Sequence, residues 1–156
     1  MTDSRTWVVV LSRQDALAAA AGGFVTTSTG KRPALARMAA GDRLVIYSPR
    51  TQHPGGEPLR AVTVIGTVTR GEPDETSPEN FRRAARLRVI EPVALADLRP
   101  DLPVPLLRFG CFVLGQQRGE QLWHAVSTRA KRPRRRTISK PQQQAVIVSG
   151  PVGNDR

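Results

Sequence analysis

Short apolar runs alternate with polar turns along the chain, and most of the runs have the length of a strand. Residues 7–11, "WVVVL", form a β-branched run that is typical of a buried strand. Residues 43–49, "RLVIYSP", and residues 59–69, "LRAVTVIGTVT", predict two more strands. Gly66 lies inside the last of these runs and indicates a bulge or a tight bend of the sheet.

Three further segments are expected to be extended or irregular. Residues 81–93, "FRRAARLRVIEPV", alternate basic and apolar positions, which predicts a half-exposed strand with Arg86 and Arg88 opposite Leu87 and Val89. The other predicted segments are a strand or extended loop at residues 24–29, "FVTTST", an acidic loop at 71–80, "GEPDETSPEN", and a last strand at 108–115, "RFGCFVLG".

The predicted helices are short and lie between these strands. Ser12 is expected to cap an alanine-rich helix at its N-terminus, and the Gly22-Gly23 pair is expected to end that helix. Additional helical segments are predicted at residues 33–38, 95–98 and 117–128.

Five or six strands with short helices between them, and without regular strand-helix-strand alternation, predict an α+β fold or a small mixed barrel. The pattern indicates one domain, residues 1–128, followed by a basic and disordered tail, residues 129–156. The run "AVIVSG" at residues 145–150 is expected to form either an edge strand or a flexible apolar patch.

Charge is unevenly distributed along the 156 residues, whose formal net charge is +11. From Arg129 to the end there are eight Lys/Arg and one acid, whereas residues 1–128 hold sixteen Lys/Arg and twelve acids. The tail can therefore supply salt-dependent contacts to a nucleic acid or an acidic partner, or serve only to keep the protein soluble.

Most catalytic and metal chemistry is poorly supported by the residue pattern. Cys111 is the only cysteine, which leaves no disulfide or Cys cluster and fits a reducing compartment. His53 and His124 lack neighbours at metal-ligand spacing. With no signal-like start and no apolar stretch of about 20 residues, we expect a soluble cytoplasmic protein, without cofactor and not an enzyme.

The glycine-lysine pair Gly30-Lys31 is not a phosphate-binding P-loop, because Val25 and Arg32 occupy the places of the required glycine and Ser/Thr. It remains either a close approach to a ligand or a turn with a solvated lysine. Trp7 and Tyr47 lie at predicted strand ends, where they either line a pocket that stacks a base or pack in the core.

The order of motifs along the chain resembles the EVE domain, a member of the PUA-like and YTH-like group of nucleic-acid-binding folds. The resemblance covers about residues 6–127. Its pieces are "WVVVLSR", "GF" at 23–24, "GK" at 30–31, "PALARMAAGD", "YSP" at 47–49, "AVTVIG", "FRR" at 81–83 and "LRFG".

This resemblance implies a strongly curved sheet, nearly a barrel, with a pocket that accepts an extruded and often modified base. Arg82 and Arg83 match a basic pair that could meet the nucleic-acid backbone. The residues that match motif positions near the pocket are Trp7, Ser12, Gly30, Lys31, Tyr47, Ser48 and Pro49.

The chain also departs from the family pattern. Thr29 and Asp15 stand where the family often has histidines, and "VPLL" replaces a Trp-Gly pair before the last strand, for which Trp123 is no evident substitute. Losing an aromatic wall would weaken base stacking.

The first functional hypothesis is a non-catalytic module that binds DNA or RNA and recognises a modified base in a pocket. No membrane partner is expected. The alternatives are a nucleotide-processing enzyme and an interaction protein whose tail binds RNA or an acidic partner. The pattern leaves the choice of DNA or RNA, the modification and the oligomeric state open.

Overall fold

The computed structural model describes residues 4–27, 32–78, 80–98, 102, 105, 107 and 110–130. Its elements in chain order are β1 (Thr6–Val10), α1 (Arg13–Gly22), β2 (Phe24–Val25), α2 (Arg32–Arg37), β3 (Arg43–Arg50), β4 (Pro58–Val68), β5 (Asp74–Ser77), β6 (Asn80–Ala94), α3 (Leu95–Leu98), β7 (Cys111–Leu114) and α4 (Gln116–Ala130).

Seven strands form one mixed sheet in the order β2-β6-β4-β3-β1-β7, and β5 pairs with β6 outside this path. β1 and β3 run parallel, and the other pairs are antiparallel. The register shifts between β3 and β4 and again between β4 and β6. Such shifts bend strands and increase twist, so the sheet curls into a half-barrel, and the predicted α+β class with a strongly curved sheet is confirmed.

Alternation along the strands produces two buried clusters, one on each face of the sheet. On the first face Trp7 and Leu44 pack with α1 and α2, whose Leu35 is fully buried. On the second face Val8 and Val45 pack with α3 and α4. The two faces therefore present different surroundings to consecutive side chains of the same strand.

The predicted ends of the first helix are confirmed. Ser12 Oγ accepts a hydrogen bond from the Asp15 backbone N–H at 3.1 Å, which satisfies a helix N-terminal donor. Gly23 ends α1 in the left-handed conformation, with φ of 78°, and its N–H donates to the Ala19 carbonyl.

The predicted acidic loop at residues 71–80 is partly wrong, because Asp74–Ser77 form strand β5. All four of its residues are exposed, so no apolar alternation marks the strand in the sequence. Pairing with the first residues of β6, such as Glu75 opposite Phe81, makes it extended.

Two details of the long strands also differ from expectation. Gly66 sits in regular register between Leu44 and Leu87, which contradicts a bulge, the first of its two expected roles. Val89 is 47% exposed, although the alternation placed it on the face opposite the exposed Arg86 and Arg88 and therefore predicted it to be buried. Five residues of β6, 89–93, lie opposite three residues of β4, Val64 to Val62. The regular alternation of buried and exposed side chains along β6 ends at this irregularity.

The predicted segment at residues 24–29 is described as far as residue 27, and within this part Phe24–Val25 form a strand. The last helix continues to Ala130, two residues past the expected end. Arg129 and Ala130, the first two residues of the predicted disordered tail, are therefore helical. The rest of that tail, residues 131–156 with the run at 145–150, lies outside the described residues, and the division into domain and tail stays a prediction. No helix of the described ranges has the length and apolar character needed to cross a membrane.

Candidate functional site

A cavity of about 540 Å³ opens at one edge of the sheet, between α1, β2 and the hairpin of β5 and β6. Cavities that take small ligands fall in the range of about 300–1,000 Å³. The α1 side of the cavity is largely apolar, with Leu11, Ala18 and Ala19, whereas the hairpin side carries hydroxyl and amide groups. An apolar wall facing a polar one suits a flat, amphipathic ligand.

Phe24 and Arg82 form a flat wall of this cavity. The Arg82 guanidinium lies 3.7 Å from the centroid of the Phe24 ring, as a cation–π pair. Phe24 pairs with Ala84 across β2 and β6, so Arg82 is its diagonal neighbour on the same face. Arg82 Nε also donates to Asp74 Oδ2 at 3.1 Å, which orients the guanidinium from β5.

Hydrogen bonds within the hairpin hold its polar groups at the cavity. Asn80 Nδ2 donates to Ser77 Oγ at 3.0 Å, and Thr76 Oγ1 donates to the Asn80 carbonyl at 3.2 Å. Thr26 Oγ1 donates to the Phe81 carbonyl at 2.8 Å, which ties the chain after β2 to β6. Hydroxyl and amide groups can both donate and accept, so this wall can meet the polar edge of a ligand.

Asp15 lines the cavity from the first turn of α1, where it is exposed. Its backbone N–H is engaged by Ser12, which sets the start of the helix and therefore the position of the side chain. A carboxylate accepts hydrogen bonds, so Asp15 supplies an acceptor at the same cavity as the arginine wall.

The structure distributes the predicted site residues over several environments. Arg82 lines the cavity, Ser12 is buried beside the lining residue Leu11, and Pro49 is half-buried near the end of β3. Gly30 and Lys31 lie outside the described residues, which resume at Arg32.

Trp7 is 1% exposed and belongs to the core rather than to an open pocket. Its indole Nε1–H donates to Asp42 Oδ2 at 2.9 Å, and the guanidinium groups of Arg5 and Arg37 lie 5.3 and 5.4 Å from its ring. Asp42 also accepts from the backbone N–H of Ala39 at 2.9 Å and of Arg5 at 3.1 Å. The "GD" motif therefore joins β1 to the turn before β3.

Tyr47 and Ser48 are buried as well, in the interior of β3. The Ser48 and Thr63 hydroxyl groups share a hydrogen bond of 2.8 Å across β3 and β4. Burial raises the pKa of the Tyr47 hydroxyl above its ordinary value, and nearby Arg60 offsets part of this rise. Tyr47 therefore stays protonated at neutral pH.

Arg83 points away from the cavity and is 6% exposed. Its Nη1 donates to the carbonyls of Leu35, at 2.9 Å, and Met38. These carbonyls belong to the C-terminal end of α2 and the residue following it, where a cation is favourable. Arg83 thus fastens α2 to the sheet.

Several cavity residues were not predicted as site residues. Phe24 and Phe81 were part of the quoted motifs "GF" and "FRR", and their aromatic character was the available signal. Asp15 stands where the family often has a histidine, but the pattern assigns it no role in the site. The hairpin residues Ser77 and Asn80 carried no signal, since the strand that positions them was predicted as a loop.

Cys111 is half-buried on β7. Burial raises the pKa of the Cys111 thiol to about 11, an effect that Arg37 counters in part. Within the described ranges, no group of three or more His, Cys, Asp or Glu residues is placed to hold a metal ion.

Comparison with solved structures shows the fold. The protein is similar to a hypothetical protein from Leishmania major, with a TM-score of 0.54, 12% identity, and 83% of this chain and 98% of that chain covered. It is also similar to protein Atu2648 from Agrobacterium tumefaciens, with a TM-score of 0.52, 16% identity, and 78% and 92% covered. The curled sheet is thus a PUA-like fold.

Comparison with protein sequences shows the family. A UPF0310 protein of Renibacterium salmoninarum is 41% identical over 102 residues, which are 64% of this chain and 73% of that protein. The UPF0310 protein YdcG of Bacillus subtilis is 48% identical over 65 residues, which are 42% of this chain and 44% of YdcG. The family model "EVE domain" matches residues 5–108. The chain therefore belongs to the EVE domain family, as its motif order predicted.

Proposed function

We propose that this protein is a non-catalytic module that binds DNA or RNA and accepts one extruded, modified base in the cavity between α1 and the β5–β6 hairpin. The observation that carries the proposal is the flat Phe24–Arg82 wall of a 540 Å³ cavity, in a chain of the EVE domain family. Aromatic and guanidinium planes are the surfaces on which unpaired bases stack.

Stacking on the Phe24–Arg82 wall can offset part of the free-energy cost of extruding a base. Extruding a base costs a few kcal/mol, and stacking on an aromatic side chain returns about 1–3 kcal/mol. Hydrogen bonds to the edge of the base supply the remainder. Stacking alone does not discriminate among bases, because every base has a π-face.

Discrimination is assigned to Asp15 and to the hairpin side of the cavity. The Asp15 carboxylate can accept a hydrogen bond from an exocyclic amino group, which cytosine and adenine carry. The Asn80 Nδ2 group donates to Ser77 Oγ and to the Pro78 carbonyl, so the amide oxygen of Asn80 is the group that can accept a hydrogen bond from the base. The expected ligand is therefore a derivative of an amino-bearing base.

The experiment measures binding of the full chain to matched single-stranded oligonucleotides, in DNA and RNA, that carry unmodified or methylated cytosine or adenine. At about 150 mM salt nonspecific charge effects are reduced. We expect a preference for one modified base. Phe24→Ala should weaken that binding about five- to 150-fold, which is the stacking energy expressed as an affinity ratio.

Phe112→Ala is the matched control. Phe112 is also half-buried on a sheet strand, but it pairs with Val8 on β1 and packs against the second-face cluster, away from the cavity. Equal binding of all oligonucleotides by the wild type, or equal losses in the two variants, would contradict a base-binding cavity. Turnover of a nucleotide would favour the enzyme alternative instead.

A further inference from the structure

One face of β6 carries a row of arginines that leads away from the cavity. We call Arg82, Arg86 and Arg88 the arginine stripe. The pairing of β6 with β5, β2 and β4 is continuous from Arg82 to Arg88, so side chains at even numbers lie on one face throughout. Odd-numbered residues such as Ala85 and Leu87 face the first buried cluster.

The outer part of the stripe is open to solvent and forms no ion pair with another described residue. Arg86 and Arg88 are both exposed. Of the ion pairs within the described residues, only the one between Arg82 and Asp74 involves the stripe. Arg86 and Arg88 lie two residues apart on one strand, up to about 7 Å, so their positive charges add at this surface.

The positive surface continues across the sheet from the middle of the stripe. Arg86 lies opposite Thr67 on β4, and Thr67 lies opposite Arg43 on β3. The Arg43 guanidinium is 5.4 Å from the centroid of the Trp123 ring on α4. Stacking on Trp123 holds Arg43 in place at this side of the sheet.

The arginines of the stripe are spaced so that they can contact several phosphates along one nucleic-acid strand. At about 3.4 Å per strand residue, Arg86 lies up to about 14 Å from Arg82, and Arg88 up to about 7 Å from Arg86. The inner end, Arg82, is the wall of the cavity itself. Arginine forks match phosphate oxygens, and phosphate contacts set register and orientation without reading sequence.

We infer that the arginine stripe, Arg82, Arg86 and Arg88, binds the phosphate backbone of the single strand whose extruded base enters the cavity. The inference rests on the proposed function for the identity of that strand. The stripe extends the contact beyond the single nucleotide in the cavity, so affinity depends on the length of the strand. It also fixes the direction in which the strand leaves the cavity.

The test compares the full-length wild type with the R86Q/R88Q variant, using single strands of three and twelve nucleotides with a central methylated cytosine or methylated adenine. We expect the variant to lose affinity for the longer strand, while binding of the shorter strand changes less than about twofold. Because each phosphate contact on a single strand contributes about 0.7 to the slope of log K against log salt, two lost contacts lower that slope by about 1.4. The ratio of the wild-type binding constant to that of the variant should then fall about sevenfold between about 50 and 200 mM salt.

The matched control is R70Q/R118Q, which removes the same charge from two exposed arginines outside the stripe. Its salt slope should equal that of the wild type. If both double variants lower the salt slope equally, or if neither does, the arginine stripe does not bind the phosphate backbone. Thermal unfolding of both variants checks that the exposed substitutions leave the fold intact.

The proposed function and this inference fail in different ways. If Phe24→Ala leaves base preference unchanged while R86Q/R88Q still lowers the salt slope, the base-binding cavity is wrong and the backbone surface stands. If base preference depends on Phe24 and strand length has no effect, the stripe is wrong and the cavity stands. Failure of the wild type to bind any strand overturns both.

Discussion

Arg82 and Arg83 are adjacent in the chain, yet their side chains lie in different environments. Arg82 stacks on Phe24 at the edge of a cavity, whereas Arg83 is buried and donates to carbonyls at the end of α2. Successive side chains of a strand point to opposite faces, so one of two like residues reaches solvent and the other fastens a helix. The residue type therefore indicates which interactions an arginine can make. The face of the strand on which it lies determines which of them it does make.

The residue-scale prediction for Asp42 concerns stability. Its buried carboxylate accepts from Trp7 Nε1 and from the backbone N–H of Arg5 and Ala39. Asp42→Ala leaves these donors without their acceptor and should lower the free energy of unfolding by about 3–5 kcal/mol, measured by urea denaturation. Asp74→Ala is the control, because it breaks only an exposed ion pair and should cost less than about 1 kcal/mol. Similar losses in the two variants would show that Asp42 is no structural hub.

A second residue-scale prediction concerns pH. Burial raises the pKa of the Cys111 thiol to about 11 from its ordinary 9.0, so the folded thiol stays protonated where the unfolded one ionises. This contribution to stability is present below pH 9 and lost as pH rises towards 11. Alkylation of the native protein should be slow at pH 8 and accelerate up to about pH 11, as followed by mass spectrometry. Rapid native alkylation at pH 8, at the rate seen in urea, would contradict this burial.

At the scale of elements, β6 organises the sheet. Its 15 residues pair with β5, β2 and β4 in turn, and it carries both the cavity wall and the arginine stripe. β2 and β5 are short, and their pairing with β6 brings Phe24 and the hairpin to the same edge. The cavity is thus a product of strand pairing and not of any one segment.

Gly66 permits the close approach of β4 to β6. A Cβ atom at this position would lie 2.1 Å from the Arg86 carbonyl oxygen and 2.9 Å from the Leu87 Cα, both backbone atoms that can move only if the strands separate. Gly66→Ala should therefore lower the free energy of unfolding by about 3 kcal/mol or more, at the upper end of overpacking costs. Gly115→Ala is the control, since nothing lies within 4 Å of its added Cβ. Equal midpoints in chemical denaturation would contradict the close approach.

At the scale of the whole molecule, the sheet separates two kinds of surface. α1 and α2 cover the first face and leave the cavity at its edge, while α3 and α4 cover part of the second face. Arg86 and Arg88 stay exposed on β6. The basic segment after α4 adds seven Lys/Arg and one Asp beyond Ala130.

Removal of residues 131–156 separates the contribution of this segment from that of the folded body. The truncated chain keeps every described helix and strand. It should bind all oligonucleotides more weakly and with a lower salt slope, because sequence-independent charge is removed, yet keep the same ratio of affinities for modified and unmodified bases. Loss of that ratio together with the affinity would favour the alternative in which the tail alone binds.

Elements with a local pattern of residues could be predicted from the amino-acid sequence alone. Strands β1, β3 and β4, the caps of α1 and the class of fold follow from β-branched runs, turn residues and capping residues. The order of motifs sufficed to predict the EVE domain family. These predictions succeed because burial and backbone conformation leave their mark on neighbouring residues.

Which residues meet at the cavity depends on the three-dimensional fold and could not be predicted from local patterns. Trp7, Tyr47 and Ser48 belong to motifs, but they lie in the interior, where they hold the sheet together. Phe24 and Asn80, 56 positions apart, line one cavity because β2 and β5 both pair with β6. Non-local pairing determines that proximity, and an exposed strand such as β5 leaves no apolar alternation from which to predict it.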